Sequence, residues 1–399
     1  MERVILHCDL NCFYASVELL RHPELRKLPV AVCGDPASRH GIILAKNEPA
    51  KGFGVQTAET IWQARRKCPE LLLLPPHHGL YREYSQKVNA IYDEYTDLVE
   101  PFGIDESWLD VTHSLHLFGG NGKALADTLR HRVREELGLT LSVGVSFNKV
   151  FAKLGSDYKK PDATTVISQE NWRKIVWPLP VRDLLYVGRA AGQLLGQYGI
   201  ATIGQLAACR RQMLEELLGK LGGQLHAYAN GLDREPVRSR LANEPVKSVG
   251  NGETFPRNLT TWEQVSRGIA LLSDSVASRL CRQRLYAGGV HVTLRDPSFR
   301  DRSRQRQLDV PTHLIREITA VSLELVEELW TPPSPIRALT VTAISLTPEE
   351  ETYEQGDLFA QASAEKRKSQ ERLEKAMHSI RARYGSGSIS FGTEKRRKN

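Results

Sequence analysis

Acidic side chains close two apolar, strand-like runs about a hundred residues apart, and this constrains the fold more than any other feature. The first run, Val4-Ile5-Leu6-His7-Cys8-Asp9, ends on a carboxylate and continues into Leu10-Asn11-Cys12-Phe13-Tyr14. The second, Phe102 to Val111, reads as two strands around a turn with Asp105 and Glu106 at the bend. Carboxylates on adjacent strand ends suit hard divalent cations such as Mg²⁺, which take oxygen ligands and share them with substrate phosphates. The pattern points to a two-metal phosphoryl-transfer site.

A chain of 399 residues has room for two to four domains with a sizeable core. No apolar run reaches membrane-spanning length, and the start, Met1-Glu2-Arg3 followed by a strand, lacks the features of a signal peptide. Six cysteines (Cys8, Cys12, Cys33, Cys68, Cys209, Cys281) lie scattered without a CxxC pair, so all are expected to be reduced, as in a cytoplasmic protein that engages no membrane. The net charge of +7 belongs to the C-terminus. From Ala360 onward 11 basic residues face 4 acidic ones, whereas residues 1–359 carry 43 of each. A nucleic-acid partner must therefore be argued from local clusters.

The order along the chain reads strand, helix from Phe13, then a compact stretch 23–76 with strands at 29–34 and 41–45 and a helix at 60–67. A long helix follows, with Leu80, Tyr84, Val88, Ile91 and Tyr95 at helical spacing. After the acidic hairpin come a helix carrying Leu125, Leu129, Val133 and Leu137 and the strand 139–147. With 23–76 set aside as an insertion, this is close to a split βαβ sheet, helices on one face and the other face free for substrate. Residues 166–231 read as helical. Glycines at Val187-Gly188-Arg189 and Tyr198-Gly199-Ile200 suit a helix-hairpin-helix grip on DNA phosphates, with a plain αα-hairpin as the alternative. Residues 232–245 read as a polar linker. A second α/β unit at 246–347 shows strands near 247–254, 289–295, 302–308 and 339–346, with two helices between them. Arg302, Arg304 and Arg306 alternate along one strand and share a face; with Arg282, Arg284 and Arg295 they suit phosphate contacts, or else protect a solvated edge strand. From about 349 the composition predicts a charged tail, with one helix near 365–380.

These stretches together resemble the Y-family translesion DNA polymerases, in particular the bacterial polymerase IV (DinB-like) branch. The matching segments are Asp9 to Ser16 with Glu18, Asn47 to Val55, Tyr81 to Ser85, Ile104 to Asp110, Ser142 to Lys149, and Phe151-Ala152-Lys153 to Lys160-Pro161. The resemblance implies an α+β right-hand polymerase. Its ferredoxin-like palm would span 1–22 and 77–165, small fingers 23–76, a helix-hairpin-helix thumb 166–231, an α/β little finger 246–347 and a charged tail 348–399. It further implies that Asp9, Asp105, Glu106 and the Leu10 carbonyl hold two Mg²⁺ ions (Mn²⁺ can substitute), and that Tyr14 is the steric gate against ribonucleotides, packed by Phe13. Lys160 would contact the triphosphate.

The resemblance has departures. Many relatives carry Thr, Tyr and Arg around the triphosphate, where this chain has Ala45, Glu48 and Lys51. Lysine neutralises phosphate as a point charge but cannot form the planar fork of arginine; Lys46 is the candidate to compensate. Gln355-Gly356-Asp357-Leu358-Phe359 resembles the pentapeptide that binds the bacterial sliding clamp (β subunit), with Leu358 and Phe359 in an apolar pocket and Gln355 fixing register. The expected partners are thus primer-template DNA, dNTP and the clamp, with the chain itself a monomer at the nucleoid. The expected activity is distributive, error-prone synthesis, since a small open site imposes weak penalties on a wrong pair. Two rival readings are a DNA- or clamp-binding protein with a weak site, and a two-metal nuclease.

Overall fold

The computed structural model describes residues 2–36, 38, 41–240, 245–351, 361–385 and 388–389. The chain forms two compact units, residues 1–243 and 244–399.

The first unit is built on a five-stranded sheet of order β5-β6-β1-β7-β8: β1 Ile5–Leu10, β5 Val99–Pro101, β6 Glu106–Asp110, β7 Leu141–Ser146 and β8 Thr164–Ile167. A three-stranded sheet in the insertion, ordered β3-β2-β4, comprises β2 Val30–Cys33, β3 Ile43–Lys46 and β4 Leu72–Leu74. Strand β1 runs antiparallel to both β6 and β7, and every residue in it is buried. Its even-numbered side chains Leu6, Cys8 and Leu10 enter the main core. There they join Val88, Ile91 and Tyr92 of α4 (His78–Asp93) and Leu125, Leu129 and Val133 of α5 (Gly122–Leu137). Helix α5 starts where the Asn121 side chain accepts from Ala124 N–H, and it stops at Gly138, whose φ of 68° suits glycine.

The opposite sheet face is not free, contrary to the split βαβ expectation. Helix α6 (Lys149–Tyr158) lies across it, and Ile5 packs there with Ala152 and Trp108. The approach depends on two glycines. A Cβ on Gly144 would lie 1.9 Å from the Ala152 carbonyl oxygen, and one on Gly155 would lie 2.9 Å from the Gly144 Cα. With no side chain between them, α6 sits on the backbone of β7. Beyond α6, Phe151 and Leu154 continue into the core of a helical layer: α7 (Trp172–Val176), α8 (Arg189–Gln197), α9 (Ile203–Ala208), α10 (Arg211–Leu218) and α11 (Lys220–Ala229). The remaining helices of this unit are α1 (Phe13–Arg21) and, in the insertion, α2 (Glu48–Gly52) and α3 (Ile61–Lys67). The stretch read as a linker lies against the same unit: Val237 is buried beside Ile5 and Trp108, and the Arg238 N–H donates to Glu100 Oε2.

The second unit is a four-stranded antiparallel sheet of order β11-β10-β12-β9, formed by β9 Ser248–Leu259, β10 Leu285–Arg295, β11 Asp301–Thr312 and β12 Ile336–Pro348. Helices α12 (Trp262–Gln283) and α13 (Ile315–Leu329) pack over one face. Val290, Val292 and Leu294 point into that core, and they pair in register with Arg306, Arg304 and Arg302. The three arginines do share a face, as expected, but it is the helix-covered one. Acids are close by: Arg306 pairs with Glu324 and, at 2.7 Å, with Glu328, and Arg304 lies 4.0 Å from Glu328. Arg295 is held by Asp301 and Arg284 by Glu349. Arg282 and Arg302 enter no ion pair among the described residues. The expected tail also proves partly folded. Helix α14 (Gln361–Tyr384) docks on α12 and the start of α13 through Arg381–Asp274 (2.7 Å), Arg367–Glu317 (3.3 Å) and the buried Glu374. Gln355, Leu358 and Phe359 lie outside the described residues.

The Gly144–Gly155 contact leaves no room to relax, because the obstructing atoms are backbone. Gly144→Ala is expected to destabilise the protein by about 3 kcal/mol or more, read as a lowered midpoint in urea or thermal denaturation; an unchanged midpoint would mean α6 can shift off the sheet.

Candidate active site

The antiparallel pairing of β1 and β6 sets Asp9 directly opposite Glu106. Asp105, one residue earlier, is pinned to the end of β1 because Leu10 N–H donates to the Asp105 carbonyl at 3.0 Å. The next link belongs to Asn11, whose N–H donates to the Thr140 carbonyl at 2.9 Å, and whose side-chain amide sits between the Thr140 and Ser142 hydroxyls. The two acidic clusters of the sequence therefore meet at one corner of the sheet, as their strand-end positions predict.

Three carboxylates this close repel one another. Burial, with Asp9 and Glu106 as neighbouring negative charges, pushes the Asp105 carboxyl up to about 6. Burial acts on Glu106 in the same sense, but hydrogen bonding from His7 and the Lys153 ammonium outweigh it and hold Glu106 near 2. Lys153, on α6, reaches Asp9 Oδ2 at 3.1 Å, Glu106 Oε2 at 2.8 Å and Asp157 Oδ2 at 3.2 Å. Lys160 lies 2.6 Å from both Asp9 Oδ2 and Asp157 Oδ1. Although burial works against charging Lys153, the Asp9, Asp157 and Glu106 carboxylates raise its pKa. Behind Glu106, the buried His7 places Nε2 3.2 Å from Oε2 and Nδ1 2.8 Å from the Ser156 hydroxyl; burial lowers its pKa. His7, Asp9 and Glu106 present ligand atoms within 4.8 Å of one another. The donor set fits a hard cation: two carboxylates stand beside one buried imidazole, and Asp105 next to Glu106 adds a third carboxylate.

Tyr14 rises from the first turn of α1 beside these acids. Its ring stacks on Tyr81 (centroids 4.0 Å apart, 13° between planes), with Phe13 tilted against it at 5.7 Å and His78 edge-on at 5.9 Å. Tyr81 is fully buried and donates its hydroxyl to Glu18, which His77 Nδ1 approaches at 2.9 Å. Burial, then the Asp105 charge, raises the Tyr14 hydroxyl.

Residues 8–157 match the impB/mucB/samB family, and residues 246–358 match the C-terminal domain of the same family. Over 392 residues the chain is 46% identical to a DNA polymerase IV of Acetivibrio thermocellus, covering 98% of this chain and 97% of that one. The chain belongs to the polymerase IV branch of the Y family. A DNA polymerase IV of Clostridium kluyveri is 34% identical, with 98% of each chain covered, and DNA polymerase IV 1 of Bacillus subtilis is 36% identical, with 98% and 92% covered. The fold matches a Y-family DNA polymerase chimera, Dbh-Dpo4(243-245)-Dbh, with a TM-score of 0.75 at 21% identity, over 86% of this chain and 99% of that one. This Y-family member is a metal-dependent, DNA-directed DNA polymerase of the translesion class. No described helix is long and apolar enough to cross a membrane, and all six cysteines are free.

In this polymerase IV relative, Asp9, Asp105, Glu106, Tyr14 and Lys160 gather at one corner, whereas Lys46 and Lys51 are otherwise engaged. Lys46 Nζ donates to Thr57 Oγ1 at 2.9 Å, and Lys51 is held by Glu48 at 2.6 Å. Gly188 is the N-cap of α8, and Gly199 follows that helix with a φ of 74°. Sequence reading gave no role to His7 or to Lys153. The i, i+4 spacing of Lys153 and Asp157 on α6, with Lys160 just past its end, was the available signal.

Asp105 titrates in a window with a defined sign. Its folded pKa lies above the ordinary 3.8, so its contribution to stability is full below about pH 4 and is lost as pH rises through about 6. Asp105→Asn in metal-free protein is expected to raise the thermal midpoint at pH 7.5 by a few degrees, at about 2–4 °C per kcal/mol, and to leave it unchanged near pH 4. Equal gains at both pH values would show that ionisation of Asp105 does not set the difference.

Proposed function

We propose that Asp9, Asp105, Glu106 and the Leu10 carbonyl hold two Mg²⁺ ions, with Mn²⁺ able to substitute, for nucleotidyl transfer from dNTP to a primer 3′-OH with release of pyrophosphate. When bound, such ions acidify the attacking hydroxyl and neutralise charge on the leaving pyrophosphate. The observation that carries the reading is the in-register pairing of Asp9 with Glu106 beside the backbone-pinned Asp105. The protein's own contribution is alignment and charge. Lys160 and Lys153 supply cations at the edge of the acidic corner; Lys160 meets the triphosphate, while Lys153 limits carboxylate repulsion. Lys46 and Lys51 belong to the same nucleotide site. Tyr14, rigid on its Tyr81 support, fills the space a ribose 2′-OH would need. Phe13, buried in the main core, fixes the helix that carries it.

Primer-template DNA is gripped at the α8 N-terminus near Gly188 and through the second unit. Of these six arginines, Arg282 and Arg302 enter no ion pair among the described residues, while Arg284, Arg295, Arg304 and Arg306 must exchange protein carboxylates for phosphate. Gln355, Leu358 and Phe359 bind the sliding clamp, and the protein works as a monomer in the cytoplasm. Synthesis is distributive and error-prone.

Mg²⁺-dependent primer extension on undamaged template tests the reading. The parent should lengthen the primer, EDTA should abolish extension, and Asp105→Ala should reduce it at least about 10³-fold. Shortened primer would instead establish a nuclease, and unchanged primer a binding protein. Tyr14→Ala should retain extension with dNTP and incorporate ribonucleotides that the parent rejects; continued rejection would remove Tyr14 from the gate role.

A further inference from the structure

Glu48 is the first residue of α2, and its carboxylate is tied in two directions. Oε1 lies 2.6 Å from Lys51 Nζ, one turn along the same helix, and accepts from Cys12 Sγ at 3.2 Å. Cys12 is the N-cap of α1, in left-handed conformation (φ 52°), three residues after Asp9 and two before Tyr14. The Glu48–Lys51 pair therefore sits against the loop that joins the metal-site carboxylate to the Tyr14 ring. The base of α2 is rigid: the buried Asn47 accepts from both Ala50 and Val30 N–H and donates to the Leu28 carbonyl. Lys46, the other cation of this segment, is turned to Thr57.

We infer that Glu48 weakens nucleotide binding, because it holds Lys51 in an internal pair that the triphosphate must break. The inference rests on the nucleotide-site reading given above. A dNTP whose phosphates lie along the start of α1, where N–H groups beyond Cys12 have no helical partner, meets Lys51 already neutralised and a carboxylate beside it. An exposed pair of this kind holds weakly by itself. The effect comes from the added negative charge and from the Cys12 contact that fixes its position. Glu48 thus sets affinity without touching the reacting atoms, and its removal lowers KM and leaves kcat in place.

The test is steady-state single-nucleotide insertion for the parent, Glu48→Gln, Lys51→Met and the double variant, on one primer-template. Glu48→Gln is expected to lower KM for dNTP by about three- to tenfold at constant kcat, and the double variant is expected to lose that gain. A KM that rises or stays put in Glu48→Gln overturns the inference, since Glu48 would then be orienting Lys51 or idle. A gain that persists in the double variant also overturns it, because the effect would not pass through Lys51. Glu48→Ala gives the same readout should the glutamine variant prove unstable. A parent that inserts no nucleotide refutes the polymerase reading itself, and is distinguished from failure of the Glu48 inference by that control alone.

Discussion

Electrostatic repulsion at the corner of the first sheet is the constraint on which the rest of the structure depends. Opposed registration of Asp9 and Glu106 across β1 and β6, with Asp105 alongside, concentrates negative charge where water is scarce. The fold answers with an ammonium from α6, the helix that covers the face onto which Asp9 and Glu106 project. Lys153 reaches the carboxylates only because α6 rests on β7, and α6 rests there only because Gly144 and Gly155 put no side chain between the two backbones. A packing requirement at two glycines is thereby linked to the charge balance of the chemistry.

A second chain of dependence runs through Tyr14. Its ring has a stacked partner, Tyr81, whose hydroxyl is anchored by a carboxylate buried to 1% exposure. Glu18 is tolerable there because Tyr81 and His77 both approach its oxygens. The ring plane of Tyr14 is accordingly set by groups that touch no substrate, and its position relative to Asp9 is set by the left-handed turn at Cys12.

Much of this was legible in the chain itself. Strands β1, β2, β3, β7 and the four of the second unit showed as strand-like runs, whereas the short β4 and β8 did not; the site carboxylates showed because acids at the ends of apolar runs have few other uses. The α6 contact was not legible, since a glycine inside a strand does not announce a helix lying on it. Alternation put Arg302, Arg304 and Arg306 on one face, but only their pairing with Leu294, Val292 and Val290 decides which face. The occupation of Lys51 by Glu48 was not legible, because the i, i+3 pair depends on a short helix that begins at Glu48 itself. Helix α14 was undervalued for a different reason: ion pairs hold much of it to the unit, and composition counts such residues as signs of disorder.

The buried Glu374 gives that helix a meaning beyond packing. Helix α13 begins at Leu314 with no side-chain cap of its own, and its first amide, on Ile315, donates instead to Glu374 Oε2 at 3.0 Å, some sixty residues further along the chain. The second unit is thus capped in trans by its own extension, while Arg367 bonds the Pro311 carbonyl at the end of β11. Removing the chain beyond residue 351 would therefore not trim an appendage; it would take away the carboxylate that closes a helix terminus of the second unit.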